Sequence, residues 1–385
     1  MPPRQSRPPT VSSLLPPILS LLEPPSPNPY SAHQKALTTT ARIASSHPDV
    51  ATEILFATAR ELLKLGEAGS GSELGVRMVQ ILEQADRDVD EKSRASVTQL
   101  LALTPAFGPW RKKLADAAIR WTSTHGECPT GDPSLHQYVG ELYYKGESDC
   151  GVGSAELRTL PIALAPKLFR AYRVPCGVRY DQSNPLTFAD HDFVLAEQHL
   201  LAAGKRDAAK LLAEMMFEWC EKGKLDPGPY AVRGTLPFLS YRPPNILPAL
   251  TFLTNFLSLL SSSPSAKHLF TTTLPSQTSY SIADIQLTTC PTLNFLQLAL
   301  ITIQRAPGEG VSGVAARGLD GGVAKEWEAL VGRYRRISGV NGVLGQKEVQ
   351  EVLQQISTNV FLIPPPRGQS DMLQNLMGSL FGGGR

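Results

Sequence analysis

From residue 30 onward, apolar residues recur every three or four positions in segments of about 12 to 18 residues, and short polar turns separate these segments. Runs that alternate apolar and polar, as half-buried strands require, are nearly absent. A chain patterned this way must bury one face of each helix against its neighbours, and that restricts it to an all-α fold.

The segment HPDVATEILFATARELLKLG shows the pattern clearly. Pro48 sits at a first-turn position, Val50, Ile54, Ala57 and Leu62 fall near 3.6-residue intervals, and Gly66 is placed to stop the helix. After the stretch EAGSGS, expected to be a turn, Ser72 is positioned to cap a helix that aligns Leu74, Met78, Ile81 and Leu82. Further helices are predicted at about 91–103, ended by Thr104-Pro105, and at about 109–123. Asp132-Pro133 then opens GDPSLHQYVGELYYK, whose Leu135, Val139, Leu142 and Tyr143 form one stripe. Helical pairs start near residues 30, 73 and 109, roughly 40 residues apart, the range of tetratricopeptide-like helical-hairpin solenoids. No strict tetratricopeptide consensus is written in the letters.

The rhythm breaks at ELYYKGESDCGVGSAE. Residues 150–192 carry four prolines and three glycines without a sustained period, and FVLAEQHLLAAGKRDAAKLLAEMMFEWCEKG then restores a helix pair with Gly204 at its turn and Leu211, Met215 and Trp219 aligned beyond it. Joining the flanks gives an uninterrupted hairpin. The stretch 150–192 therefore reads as an unstructured insertion, and the second helix of the interrupted pair begins near Phe193. Helices follow near 229–239 and 245–260, at TLNFLQLALITIQR, and as two or three segments over 322–360. The stretch SSSPSAKHLFTTTLPSQTSYSIADIQLTTCP suits short strands better than helix, and APGEGVSGVAARGLDGG reads as loop. The chain is thus expected to comprise a disordered Pro-rich leader over 1–29, one α-solenoid over 30–362 with halves 30–149 and 193–362, and a flexible Pro/Gly-rich tail over 363–385 with a short amphipathic turn.

Composition narrows the function classes. A formal net charge of +2 without long runs of one sign offers no electrostatic footprint for nucleic acid. Five cysteines, widely spaced and in no CxxC pair, suggest neither a disulfide framework nor a thiolate metal site, and a reducing compartment is the simplest setting. The most apolar segment, Ile246–Leu260, is too short for a membrane span and reads as a buried helix. No catalytic constellation is present. GSGSELG lacks P-loop spacing, no HExxH or GxSxG occurs, and His125 with Cys128 is at most half a zinc site. Asp86, Asp88 and Asp90, beside Arg87 and Lys92, read as a solvated edge. No cofactor is expected.

Several strings, in order over most of residues 30–380, jointly carry a resemblance: AHQKAL, GSGSELGVRMVQILE, GDPSLHQYVGELYYK with AEQHLLAAG, LNFLQLALITIQR and DMLQNLMGSLFGGG. Together they resemble the Golgi to ER traffic protein 4 family in a fungal form. The resemblance implies a non-enzymatic, cytosolic all-helical scaffold in the targeting of tail-anchored proteins to the endoplasmic reticulum. Its N-terminal half is implied to dock on the pathway's targeting ATPase and its C-terminal half to hold a ubiquitin-like partner. A chaperone-bound client is thereby brought to the ATPase, without direct membrane insertion of the scaffold. The resemblance also implies a small β-hairpin, placed at 271–290. It makes Glu73, with Arg77 one turn later, part of the ATPase-facing surface, against the simpler role of Glu73 in favouring its helix N-terminus. Phe252, Phe256, Phe295 and Leu296 become candidates for holding the ubiquitin-like partner, against plain core packing. The rival reading is a generic helical-repeat subunit of another assembly; a second is an enzyme with an unrecognised site.

Overall fold

The computed structural model describes residues 8–106, 108–145, 188–223, 226–274, 285–306, 321–339 and 342–364. Among them the all-α expectation holds, with a single two-stranded sheet as the exception. The chain divides into two compact units, and the division falls inside the first turn of α10, after Ala208.

The first unit opens with two short helices, α1 (Val11–Leu14) and α2 (Pro16–Leu19), and a 3-10 turn (Ser20–Leu22). This corrects the reading of 1–29 as a disordered leader. Pro16 and Pro17 occupy the first turn of α2, where a missing N–H costs nothing. Ile18 and Leu22 are buried, and Lys35 donates from Nζ to the Pro17 carbonyl at 2.9 Å. Prolines that looked like breakers are helix starters here.

Helix α3 (Pro29–Ile43) is capped by Asn28, whose Oδ1 accepts from the Ser31 N–H at 3.0 Å. Helix α4 (Pro48–Lys64) starts on Pro48 and ends ahead of Gly66 at φ +83°, the left-handed conformation that glycine adopts without strain. Helix α5 (Ala68–Gln84) differs from expectation: it begins four residues before Ser72, so Ser72 is interior rather than a cap. Its hydroxyl donates back to the Ala68 carbonyl within the helix. The small residues of EAGSGS serve packing instead of turning. A Cβ on Gly71 would lie 2.6 Å from Leu63 Cγ and 3.1 Å from the Ala59 carbonyl oxygen, so α4 and α5 meet where α5 has no side chain.

Helix α6 (Glu91–Leu103) carries a reciprocal capping box between Asp90 and Ser93. Helix α7 (Trp110–His125) buries Trp121, whose Nε1 donates to the Arg87 carbonyl at 3.1 Å. Helix α8 (Pro133–Lys145) is capped by Asp132, which accepts from the Leu135 N–H at 2.8 Å. Its partner α9 (Phe188–Ala203) packs directly on it, as the sequence rhythm requires, and begins a little before Phe193. Because α9 completes the pair with α8, residues 188–208 belong to the first unit. Among the described residues the boundary between the units therefore falls after Ala208. Residues 150–187 of that insertion lie outside the described residues.

Two buried histidines tie α8 to α9. His136 Nε2 lies 2.9 Å from the Thr130 carbonyl, which can only accept, so this nitrogen carries the proton. His136 Nδ1 is then bare and accepts from His199 Nδ1–H at 2.9 Å. Tyr143 stacks on His199 with ring centroids 5.9 Å apart. Burial, reinforced by His136 and Lys112, pushes the His199 imidazole down to about 3, and burial also holds His136 below its ordinary value.

In the second unit, α10 (Arg206–Gly223) leads into α11 (Gly228–Ser240) and α12 (Ile246–Ser262). Strands β1 (Phe270–Leu274) and β2 (Ile285–Thr288) pair antiparallel with an irregularity between Phe270 and Thr272, close to the hairpin expected at 271–290. Helix α13 (Pro291–Gln304), a helix we number α14 (Gly321–Ser338), a 3-10 turn (Val343–Gly345) and a last helix α15 (Lys347–Phe361) complete it. The core gathers Phe238, Phe252, Phe256, Phe295 and Trp327, all fully buried. The expected tail over 363–385 lies outside the described residues from 365 onward.

Two predictions follow from this packing. Above pH 6.5 His199 is neutral both folded and unfolded; below it the unfolded chain takes a proton that the folded chain refuses down to about pH 3. Stability is therefore complete above pH 6.5 and falls with pH, by about 2 kcal/mol at pH 5 from this group. Urea unfolding at pH 7.5 and pH 5 measures it, and His199→Gln should shrink the difference. Second, the Gly234 position on α11 faces the ring of Phe252, and an added Cβ would overlap ring carbons. Gly234→Ala should lower stability by about 1–3 kcal/mol, read as a drop in the thermal midpoint.

Candidate partner-binding surfaces

Glu73 and Arg77 lie one turn apart on α5, so they share a face, as their spacing predicts. The Glu73 side chain is 63% exposed, and its Oε2 lies 3.3 Å from Nε2 of buried His33 on α3. That approach lacks hydrogen-bond alignment and leaves His33 Nε2 without a bonded partner, so the contact does not fix the carboxylate. Glu73 stands in the second turn of its helix, not at an N-terminus, so the helix-start role does not apply to it. Arg77 is half-buried and donates from Nη1 to Gln80 Oε1 at 3.2 Å.

One turn before Glu73 the seam between α3 and α5 widens into an open cleft of about 520 Å³, lined by Pro27, Pro29, Tyr30, Glu67 and Ser70 among others. Tyr30 is 73% exposed there. The Pro27-Asn28-Pro29 run sets this wall, since the prolines hold the chain extended until Asn28 caps α3. An acidic carboxylate beside an exposed aromatic and an open cleft is a surface suited to protein contact. The turn-like letters around Ser72 concealed this arrangement, because the exposure of Glu73 depends on where α3 lies.

In the second unit the four candidate phenylalanine and leucine positions are corrected. Phe252, Phe256, Phe295 and Leu296 are all 0% exposed. Phe252 and Phe256 stack at 5.6 Å, and Phe295 meets Tyr334 at 5.7 Å and Trp327 at 6.4 Å. Apolar residues on two-faced helices pack inward on both sides, so these four hold the unit together and offer nothing to a partner's side chains.

What the apolar reading of α13 passed over is its two buried or half-buried amides. Gln297 accepts from the Gln286 N–H and donates to the Gln286 carbonyl, both at 2.8 Å. Asn294, one turn away, accepts from the Thr288 N–H at 2.9 Å and donates to the Thr288 carbonyl at 2.7 Å. Two amide side chains thus mimic a third strand along β2. A pair of polar residues at i and i+3 inside LNFLQLAL was the signal available in the sequence. The hairpin is clamped to α13 on its β2 side, and among the described residues β1 has no second strand beside it. Such an edge can take up an extended segment of another chain.

Neither unit shows reaction chemistry among the described residues. His125 Nδ1 faces Asp86 Oδ1 at 3.1 Å and Cys128 Sγ contacts the Thr130 hydroxyl at 3.1 Å, so the suspected half zinc site is divided between two local contacts. Among the described residues, no group of three or more His, Cys, Asp or Glu is placed to hold a metal ion. Burial pushes the Cys220 thiol up to about 12 and Cys290 up to about 11, which leaves them protonated and unreactive. No described helix is long and apolar enough to cross a membrane.

Comparison with known proteins places the architecture. The chain is 25% identical over 372 residues to Golgi to ER traffic protein 4 of Aspergillus fumigatus, covering 92% of this chain and 86% of that one. It is 22% identical over 361 residues to the Schizosaccharomyces pombe protein of the same name, covering 92% of each. The crystal structure of C. therm. Get4 superposes with a TM-score of 0.67 at 25% identity, over 97% of this chain and 96% of that one. The sequence model of the Golgi to ER traffic protein 4 family matches residues 45–381. With paired helices on both sides of the insertion and a clamped hairpin between α12 and α13, the chain belongs to the Golgi to ER traffic protein 4 family, and its role lies in that traffic.

Proposed function

We propose that this chain is a non-enzymatic cytosolic scaffold that delivers tail-anchored proteins toward the endoplasmic reticulum by bridging two partners. The first unit docks on the pathway's targeting ATPase through the α3–α5 seam, where Glu73 and Arg77 supply charge. The second unit holds a ubiquitin-like protein, whose own chaperone contacts bring the client within reach of the ATPase. The family match across residues 45–381 carries this reading.

Two features of the chain support it. Glu73 is exposed and held by no hydrogen bond, so it is available to a basic partner. The β1 edge, backed through β2 by the hydrogen bonds of Asn294 and Gln297, is already formed without a partner, which lowers the ordering cost of strand addition. The buried Phe252, Phe256, Phe295 and Leu296 contribute by keeping α12 and α13 in place under that hairpin.

The experiment is co-purification of the full chain with its host's targeting ATPase and ubiquitin-like protein, followed by titration calorimetry. Glu73→Lys should weaken ATPase binding at least about tenfold, or about 1.4 kcal/mol. It should leave the thermal midpoint and the ubiquitin-like complex unchanged. Failure of the wild-type chain to hold either protein would leave the generic helical scaffold as the better account.

A further inference from the structure

We propose that Ser338 is a phosphate-acceptor site for an arginine-directed protein kinase. The string Arg335-Arg336-Ile337-Ser338 at the end of α14 contains the sole Arg-Arg pair in the sequence, two and three residues ahead of a hydroxyl. Kinases separate substrates largely by such charge patterns, because carboxylates in the kinase cleft pair with guanidinium groups upstream of the acceptor.

The structure presents these arginines rather than using them. Arg333, Arg335 and Arg336 are exposed and form no ion pair among the described residues, whereas Arg305 bonds Glu326 of the same helix at 2.7 Å. Cations do suit a helix C-terminus, each by a few tenths of a kcal/mol, but that effect does not call for three of them or for the adjacent Ile337 to stand 54% exposed. Ser338 is the last residue of α14. The next residue, Gly339, has φ +70° and its N–H bonds the Arg335 carbonyl at 3.2 Å, closing the helix. A kinase takes its substrate extended, and this turn can unwind without disturbing the anchor of α14. That anchor is Trp327, about three turns earlier, which stacks on Phe361 at 4.9 Å and donates to Ser357 Oγ at 2.8 Å.

In the transfer, Ser338 Oγ attacks the γ-phosphorus of magnesium-ATP held by the kinase. The bond to the bridging oxygen breaks, ADP leaves, and the hydroxyl proton passes to the kinase's carboxylate base. The product does not fit the present turn. Ser338 Oγ already lies where a side chain on Gly342 would have to go, and a phosphate at a helix C-terminus opposes the macrodipole. The last turn of α14 opens, with Arg335 and Arg336 at hand to pair the new charge.

The test incubates the full chain with the catalytic subunit of cyclic-AMP-dependent kinase and magnesium-ATP, reading intact mass, mapped peptides and initial rate. One phosphate on Ser338 is expected, with at least a tenfold loss of rate in Ser338→Ala. Arg335→Ala and Arg336→Ala should each lower kcat/KM about tenfold or more while circular dichroism and the thermal midpoint match wild type. Amide exchange over 334–338 should speed up on phosphorylation. An unmodified chain, phosphate at another hydroxyl, or rates indifferent to the two arginines would overturn the proposal; unchanged exchange would overturn the opening of the turn.

Discussion

Burial of one helical face against the next helix is the interaction on which the rest of this molecule depends. No long sheet or disulfide knits the described residues together, so each helix is stable only while its apolar stripe is covered by its neighbours. That requirement explains why small residues appear at the closest approaches. Gly71 lets α5 settle on Leu63 of α4, and Gly234 leaves room for the Phe252 ring over α11. It also explains how α8 pairs with an α9 far along the chain: the two meet where Gly140 leaves room for Leu200, and the His136–His199 bond joins them.

Where the chain departs from pure helix packing, polar side chains do the positioning. The two-stranded hairpin has too few backbone bonds to be stable alone. Asn294 and Gln297 replace the missing neighbour by bonding β2 at alternate residues, the spacing at which one strand edge presents its N–H and carbonyl groups. Each amide both accepts from and donates to the β2 backbone in this way, which makes its place in an otherwise apolar helix inexpensive. The consequence is a preformed edge in the second unit, just as the loosely held Glu73 is a preformed charge in the first.

The candidate residues separate along the same line. That Glu73 and Arg77 share a face was legible because a turn of helix places residues four apart on one side whatever surrounds them. For Phe252, Phe256, Phe295 and Leu296 the letters left partner contact and core packing both open, because apolar residues look alike on a buried face and on a binding face. Only the position of α11 and α14 shows that these rings have no exposed side. The letters misled at Pro16 and Pro17, which interrupt a pattern there yet start a short helix that buries Ile18 and Leu22.

The letters by themselves determined most of the helices, many of their ends and their order, because helical periodicity, Asp132-Pro133 as a start and Gly66 as a stop act within one or two turns of chain, whereas the cap at Asp90 reads in the letters as a solvated edge. They also determined that α8 would find its partner beyond the insertion, since the interrupted stripe resumes in phase. The tertiary structure decided what lies far apart in sequence: that EAGSGS is helix pressed on α4, that Glu73 lies against His33, that two histidines 63 residues apart are hydrogen-bonded, and that amides of α13 clamp β2. Local propensity is short-ranged, whereas burial and hydrogen-bond partners are properties of whichever element the fold brings alongside.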